Sequence, residues 1–249
     1  MTDDQKGYVE AKGQAPESGA PSGGFWKSLI DIYADPFKVF ARIDAGLAWW
    51  KPFILISVVT MGITYLMLPF RRRIMEIGLQ GTSEEQMQRT LEGFDKFGAL
   101  ISLIAVPILL IIAYLIVAGV AHLIINIMSS RSSFKKTLSL AIFCGFITLL
   151  EQVIGSIVIK TRGVESVESV ADLKMSFSLA PLFPSVKGPL AALMESLSIF
   201  QIWYYVILIL GIAAVFKISR KQAIIPAIPM WLISFVMLLL GGKFGGGGR

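Results

Sequence analysis

Long uncharged runs separated by short polar ones set the pattern of this chain. Near the carboxyl end, residues 200–216 hold no charge over 17 positions and 223–240 none over 18. As helices rising ~1.5 Å per residue, each would cross a hydrocarbon core of ~30 Å. Three earlier runs share this character: 52–70, 98–128, and 138–159, the last interrupted by Glu151 alone. The uncharged run 98–128 would extend ~46 Å as a helix, so it either tilts or leaves its turns before Pro107 outside the lipid. The pattern predicts an all-α, polytopic membrane protein with five transmembrane helices plus short amphipathic surface helices.

Between the runs the polar pattern changes period. In DPFKVFARI, Asp35 reads as a helix cap and Pro36 as the first helical residue, where its missing N–H costs nothing. Phe37, Phe40 and Ile43 fall along one side and Lys38 and Arg42 along another. Two arrangements satisfy that spacing: a helix in the membrane surface with its basic groups toward lipid phosphates, or a helix packed against the bundle. In 74–97, Ser83 followed by Gln86 has the form of a capping box, and Met87, Leu91 and Phe94 make an apolar stripe. Residues 160–199 form the longest connection: a short helix or mobile loop in SVESVADL, then breaks at Pro181, Pro184 and Pro189. Residues 1–24, rich in Gly, Pro and Ser, predict a disordered tail rather than a signal peptide, and 243–249 a flexible one, leaving 25–242 as the membrane domain.

Composition adds constraints. Hydrophobic residues make up 55% of the chain and charged residues 16%, outside the range of an ordinary water-soluble domain. The net charge of +6 gathers at the ends of apolar runs, which suits anionic headgroups and not nucleic acid. The candidate membrane-surface cations are Lys38, Arg42, Lys51, Arg131, Lys135, Lys136, Lys217, Arg220 and Lys221. The short loops 129–137 and 217–222 carry three cations each and no acid, which places them and the amino terminus in the cytoplasm; Arg71, Arg72 and Arg73 argue the other way. Trp49, Trp50, Trp203, Tyr204 and Tyr205 read as interfacial anchors.

Candidate chemistry is sparse. Glu151 is an acid within a span, expected to be protonated, paired or wetted. It suits either a proton- or cation-responsive site in a water-filled cleft, or a carboxyl that bonds another helix or snorkels with Gln152. His122 has Asn126 four residues on, but its expected depth differs from that of Glu151, which favours a hydrogen-bonded packing role. Pro226 and Pro229 should kink the fifth span, and Ala141-x-x-x-Gly145 permits close helix approach within or between subunits. The lone Cys144 offers no disulfide, and no Walker motif, nucleophile elbow, HExxH or dinucleotide fingerprint occurs, so no cofactor is expected.

The stretch LSIFQIWYYVILILGIAAVFKISRKQAIIPAIPMW, with Phe200-x-x-Trp203, Gly211, a basic turn and an Ala-rich last span, resembles the carboxyl half of the Yip domain, named for Ypt-interacting proteins. DPFKVFARI followed by WWKP resembles that family's start, so the likeness covers about residues 30–241. The resemblance implies five closely packed spans and a cytoplasmic amino terminus. In eukaryotic relatives it implies traffic at Golgi and endoplasmic reticulum, contact with Rab-type GTPases and effects on membrane shape. Motifs of the Asp-Leu-Tyr-Gly-Pro and Tyr-x-x-x-Pro type are missing here. The chain looks more like the prokaryotic branch, in a bacterial or archaeal cell membrane, whose molecular role is undefined. The expectation is a non-enzymatic protein that organises the bilayer, membrane-protein partners or its own oligomer. The alternative is a small transporter, channel or lipid-moving protein with a polar cleft near Glu151.

Overall fold

The computed structural model describes residues 24–129, 132–173, 177–183, 185–186 and 188–244, and among these it is helical. The first two helices, α1 (Phe25–Ala34) and α2 (Pro36–Asp44), form a hairpin. Next come α3 (Trp50–Leu66) and α4 (Leu68–Gly78), bent by 49°. Pro69 lies at the break, where a proline ring cannot donate to the carbonyl four residues back. The helix expected over 52–70 is therefore broken after Leu66, and Arg71, Arg72 and Arg73 ride on α4. Arg72 pairs there with Glu76 at 2.6 Å and Asp95 at 3.3 Å, so the triplet is partly neutralised rather than a bare topogenic cluster.

Ser83 caps α5 (Glu84–Gly93), accepting from the Gln86 N–H at 3.4 Å. A π-turn over Phe94–Gly98 carries α5 on into α6 (Ala99–Met128), so the helix expected as a separate surface element runs unbroken from Glu84 to Met128. It is followed by α7 (Phe134–Arg162), short 3₁₀ turns in the long connection, α8 (Pro189–Ser196), α9 (Ile199–Phe216) and α10 (Arg220–Phe244). Lys217, at φ 55° in the left-handed region, stops α9. Ser219 and Gln222 then cap α10 reciprocally: the Gln222 N–H donates to Ser219 Oγ at 3.2 Å and the Ser219 N–H to Gln222 Oε1 at 3.0 Å. Residues 1–23, 130, 131 and 245–249, with the tail expectations and Arg131, lie outside the described residues; α10 itself continues past 242 to Phe244.

At the centre stands α7, buried at every residue from Thr137 to Ile147 and packed by α1, α2, α3, α6 and α9. The Ser129 hydroxyl donates to the Phe216 carbonyl at 2.9 Å, which joins the end of α6 to the end of α9. Asp44 meets Lys136 at 2.6 Å and Lys217 at 3.5 Å at that same end, called the basic end below. Among the described residues three helices are long and apolar enough to cross a membrane, or four when the bent pair α3–α4 counts as one span.

Candidate functional site

The spacing of polar residues builds a cleft where α7 and α9 pack antiparallel. Thr148 and Glu151 stand one helical turn apart on α7, as do Ser198 and Gln201 at the start of α9. The Ser198 hydroxyl stands beside the Glu151 carboxyl and caps α9, accepting from the Gln201 N–H at 2.9 Å. Below them lies a cavity of about 230 Å³ lined by Thr148, Gln201, Tyr204, Tyr205, Gly145, Tyr114, Val117 and Met230. The Thr148 hydroxyl donates to the Gly145 carbonyl at 2.9 Å, and the Tyr204 and Tyr205 rings meet edge to face at 5.1 Å.

Glycine at 145 is a requirement of this geometry, because a Cβ there would collide with Tyr114 Oη. The close approach allowed by Ala141-x-x-x-Gly145 is thus used inside the chain, by α6. Gly211 plays the same part on α9: an added Cβ would lie 2.5 Å from Leu140 Cδ1 and 2.9 Å from Phe40 Cε1. Tyr204 is buried and faces the cavity with Tyr205, so these two are wall residues rather than the interfacial anchors expected. Tyr33 reaches in from α1, donating to the Phe146 carbonyl at 2.7 Å with its ring 5.9 Å from Trp203.

The expected intramembrane set is divided between the two ends of the bundle. Glu151 is half-buried at the cleft mouth, while Gln152 is exposed. His122 sits at the basic end, its Nδ1 3.1 Å from Ser132 Oγ and its ring edge-on to Phe134 at 5.7 Å; Asn126 is exposed. Glu151 lies 17 residues along α7 from Phe134, about 25 Å away, so the two groups do not share a site. Among the described residues no cluster of three His, Cys, Asp or Glu side chains could hold a metal ion.

The cations divide too. Lys135, Arg220 and Lys221 are exposed, and Lys51 lies over the Trp50 ring at 5.4 Å. Lys38 is exposed but paired with Asp35 at 3.0 Å, the same carboxylate that makes no cap bond to α2. Arg42 corrects the surface-helix arrangement. It is 5% exposed, with Nη1 2.6 Å from Asp31 Oδ2 and donating to Ser28 Oγ at 3.0 Å. Val39, Phe40 and Ile43 bury α2 against α7 and α9, and Arg42 on that flank is drawn between the two helices of the hairpin. Lys136 and Lys217 converge on Asp44, and the Lys136 hydrogen bond, with Lys217 behind it, holds that carboxyl below the usual carboxylate range.

Sequence reasoning missed Tyr114, Thr148 and Gln201. The signal available was the three-residue spacing of Thr148 to Glu151 and Ser198 to Gln201, which puts four polar groups on facing stripes.

Residues 30–241 match the family model described as the Yip1 domain. The chain is 30% identical over 219 residues to membrane protein YknW of Bacillus subtilis (strain 168), covering 86% of this chain and 90% of that protein. No solved structure matches. With that match across most of its length, the chain belongs to the Yip1 domain family and is an integral membrane protein.

Proposed function

We propose that this chain is a five-span membrane protein that organises the bilayer or neighbouring membrane proteins through its intramembrane faces, without catalysing a reaction. In this reading α3, α6, α7, α9 and α10 are the spans, residues 25–242 form the domain, and the membrane is that of a bacterial cell. The basic end, with its exposed Lys135, Arg220 and Lys221, faces the cytoplasm.

The observation that carries the reading is α6. Its most apolar window, of mean hydropathy 3.0, has no residue buried inside the chain, and Leu109, Ile112, Leu115 and Ile116 all stand exposed. Such a face must be covered by lipid or by another protein. A photoreactive residue at Ile112, activated in native membranes, should capture a discrete membrane protein or a second copy. Recovery of lipid alone would remove the partner arm and leave bilayer organisation.

The cleft supports a second reading, passage or holding of a small polar molecule, because a cavity of about 230 Å³ is lined by Thr148, one helical turn from Glu151. In liposomes this reading predicts a pH- or ion-dependent flux abolished by Glu151→Gln. Flux that is absent, or unchanged by the substitution, eliminates it.

A further inference from the structure

The hairpin α1–α2 lies alongside the bundle, not across its end. Its base is tied at the basic end, where Asp44 meets Lys136 and Lys217. Near its tip, the Tyr33 hydroxyl bonds the Phe146 carbonyl. Phe146 is ten residues beyond Lys136 on α7, about 15 Å deeper, or half the ~30 Å thickness of a hydrocarbon core. Between these points Phe40 packs on Gly211 of α9, so the contacts descend in register along two spans.

The hairpin's charges are disposed to match. Arg42 pairs with Asp31 at 2.6 Å and donates to Ser28 at 3.0 Å between the two helices. The outer face carries Trp26, Ile30 and Phe37, which are 73%, 69% and 49% exposed, with Tyr33 at its edge at 37% and the exposed Lys27 near its base. Trp26, Ile30 and Tyr33 follow at i, i+4 and i+7, a single stripe continued by Phe37 across the turn. The pair shown outward, Asp35 with Lys38, closes on itself at 3.0 Å, and a lysine stem can carry its ammonium toward the headgroups.

We propose that α1–α2 is a re-entrant wedge seated in the lipid leaflet at the basic end, its aromatic stripe against acyl chains and its tip near the bilayer midplane. The exposed Lys51, Lys135, Arg220 and Lys221 at that end suit a leaflet with anionic headgroups. The inference rests on the membrane-bundle reading, and the test separates the two.

The full chain with Cys144→Ala would be labelled with a nitrobenzoxadiazole probe at Ile30→Cys or at Ile112→Cys, then reconstituted in phosphatidylcholine–phosphatidylglycerol vesicles. Quenching by doxyl groups on the acyl chains would be compared with quenching by aqueous iodide. The expected result is several-fold stronger lipid-borne quenching than iodide quenching at both positions. Iodide quenching at Ile30, or quenching by neither agent because protein covers the stripe, overturns the wedge while Ile112 still reports lipid. Iodide quenching in place of lipid-borne quenching at Ile112 overturns the bundle reading itself and the wedge with it.

Discussion

Two helices of nearly equal length, α6 and α7, meet opposite fates. The most apolar window of α6 has mean hydropathy 3.0 and none of it is buried; that of α7 has 2.1 and is 56% buried. In water the more apolar helix would be the core. In lipid, hydrocarbon surrounds the bundle and apolar surface gains little by meeting other apolar surface, so packing and hydrogen bonding choose the centre. The centre is accordingly the helix with Thr137, Ser139, Ala141, Cys144 and Gly145, and polar bonds from neighbouring segments end on it. Ser139 donates to the Leu47 carbonyl at 3.1 Å, and Tyr33 binds the Phe146 carbonyl.

The comparison can be broken from the α7 side. The largest effect is expected at Arg42, which secures the hairpin that α7 carries. Arg42→Met leaves Asp31 buried without its ion partner and should cost about 3–5 kcal/mol, read by SDS unfolding in mixed micelles. Adding Asp31→Leu should recover most of that loss. If the single change is silent, the pair does not hold the hairpin.

Gly211→Ala drives a methyl into Leu140 and Phe40 and should destabilise by about 1–3 kcal/mol. A neutral result would mean that α7 and α9 are looser than their contacts imply. Asp44→Asn removes a bond at the edge of the bundle and should cost at most about 1 kcal/mol. Because Lys136 lowers the Asp44 pKa in the folded state, this contribution is present above the unfolded value of about 3.9 and is lost as pH falls through the lower folded value. Wild type and variant should therefore differ at neutral pH and converge in acid. Smallest of all, Ile112→Ala on the open face of α6 should stay within about 0.5 kcal/mol. A loss as large as that of Gly211→Ala would show α6 to be a packed helix.

Much of this was legible in the residues. Uncharged runs located α3, α6, α7, α9 and α10, and Ser83 with Gln86 marked the start of α5. Pro69 was overlooked as the residue that ends α3, because the run stays apolar past it to Phe70. The fate of Arg42 was unreadable from spacing alone. A cation beside an apolar stripe fits headgroups or a buried partner equally well, and only the fold brings Asp31 to it across the turn. The cleft was half legible: Glu151 stood out by its charge, while Tyr204 and Tyr205 passed for anchors because aromatic residues near span ends usually are. Tyr114, deep in the most apolar run, gave no sign that its hydroxyl needs Gly145 opposite.

The arrangement turns on α7 lying inside and α6 lying against lipid. A carbene-generating reagent dissolved in the bilayer, followed by peptide mapping, measures this directly. Dense labelling is expected from Leu100 to Ile116 on α6 and almost none from Thr137 to Ile147 on α7. Equal labelling of the two, or protection of α6, would contradict it.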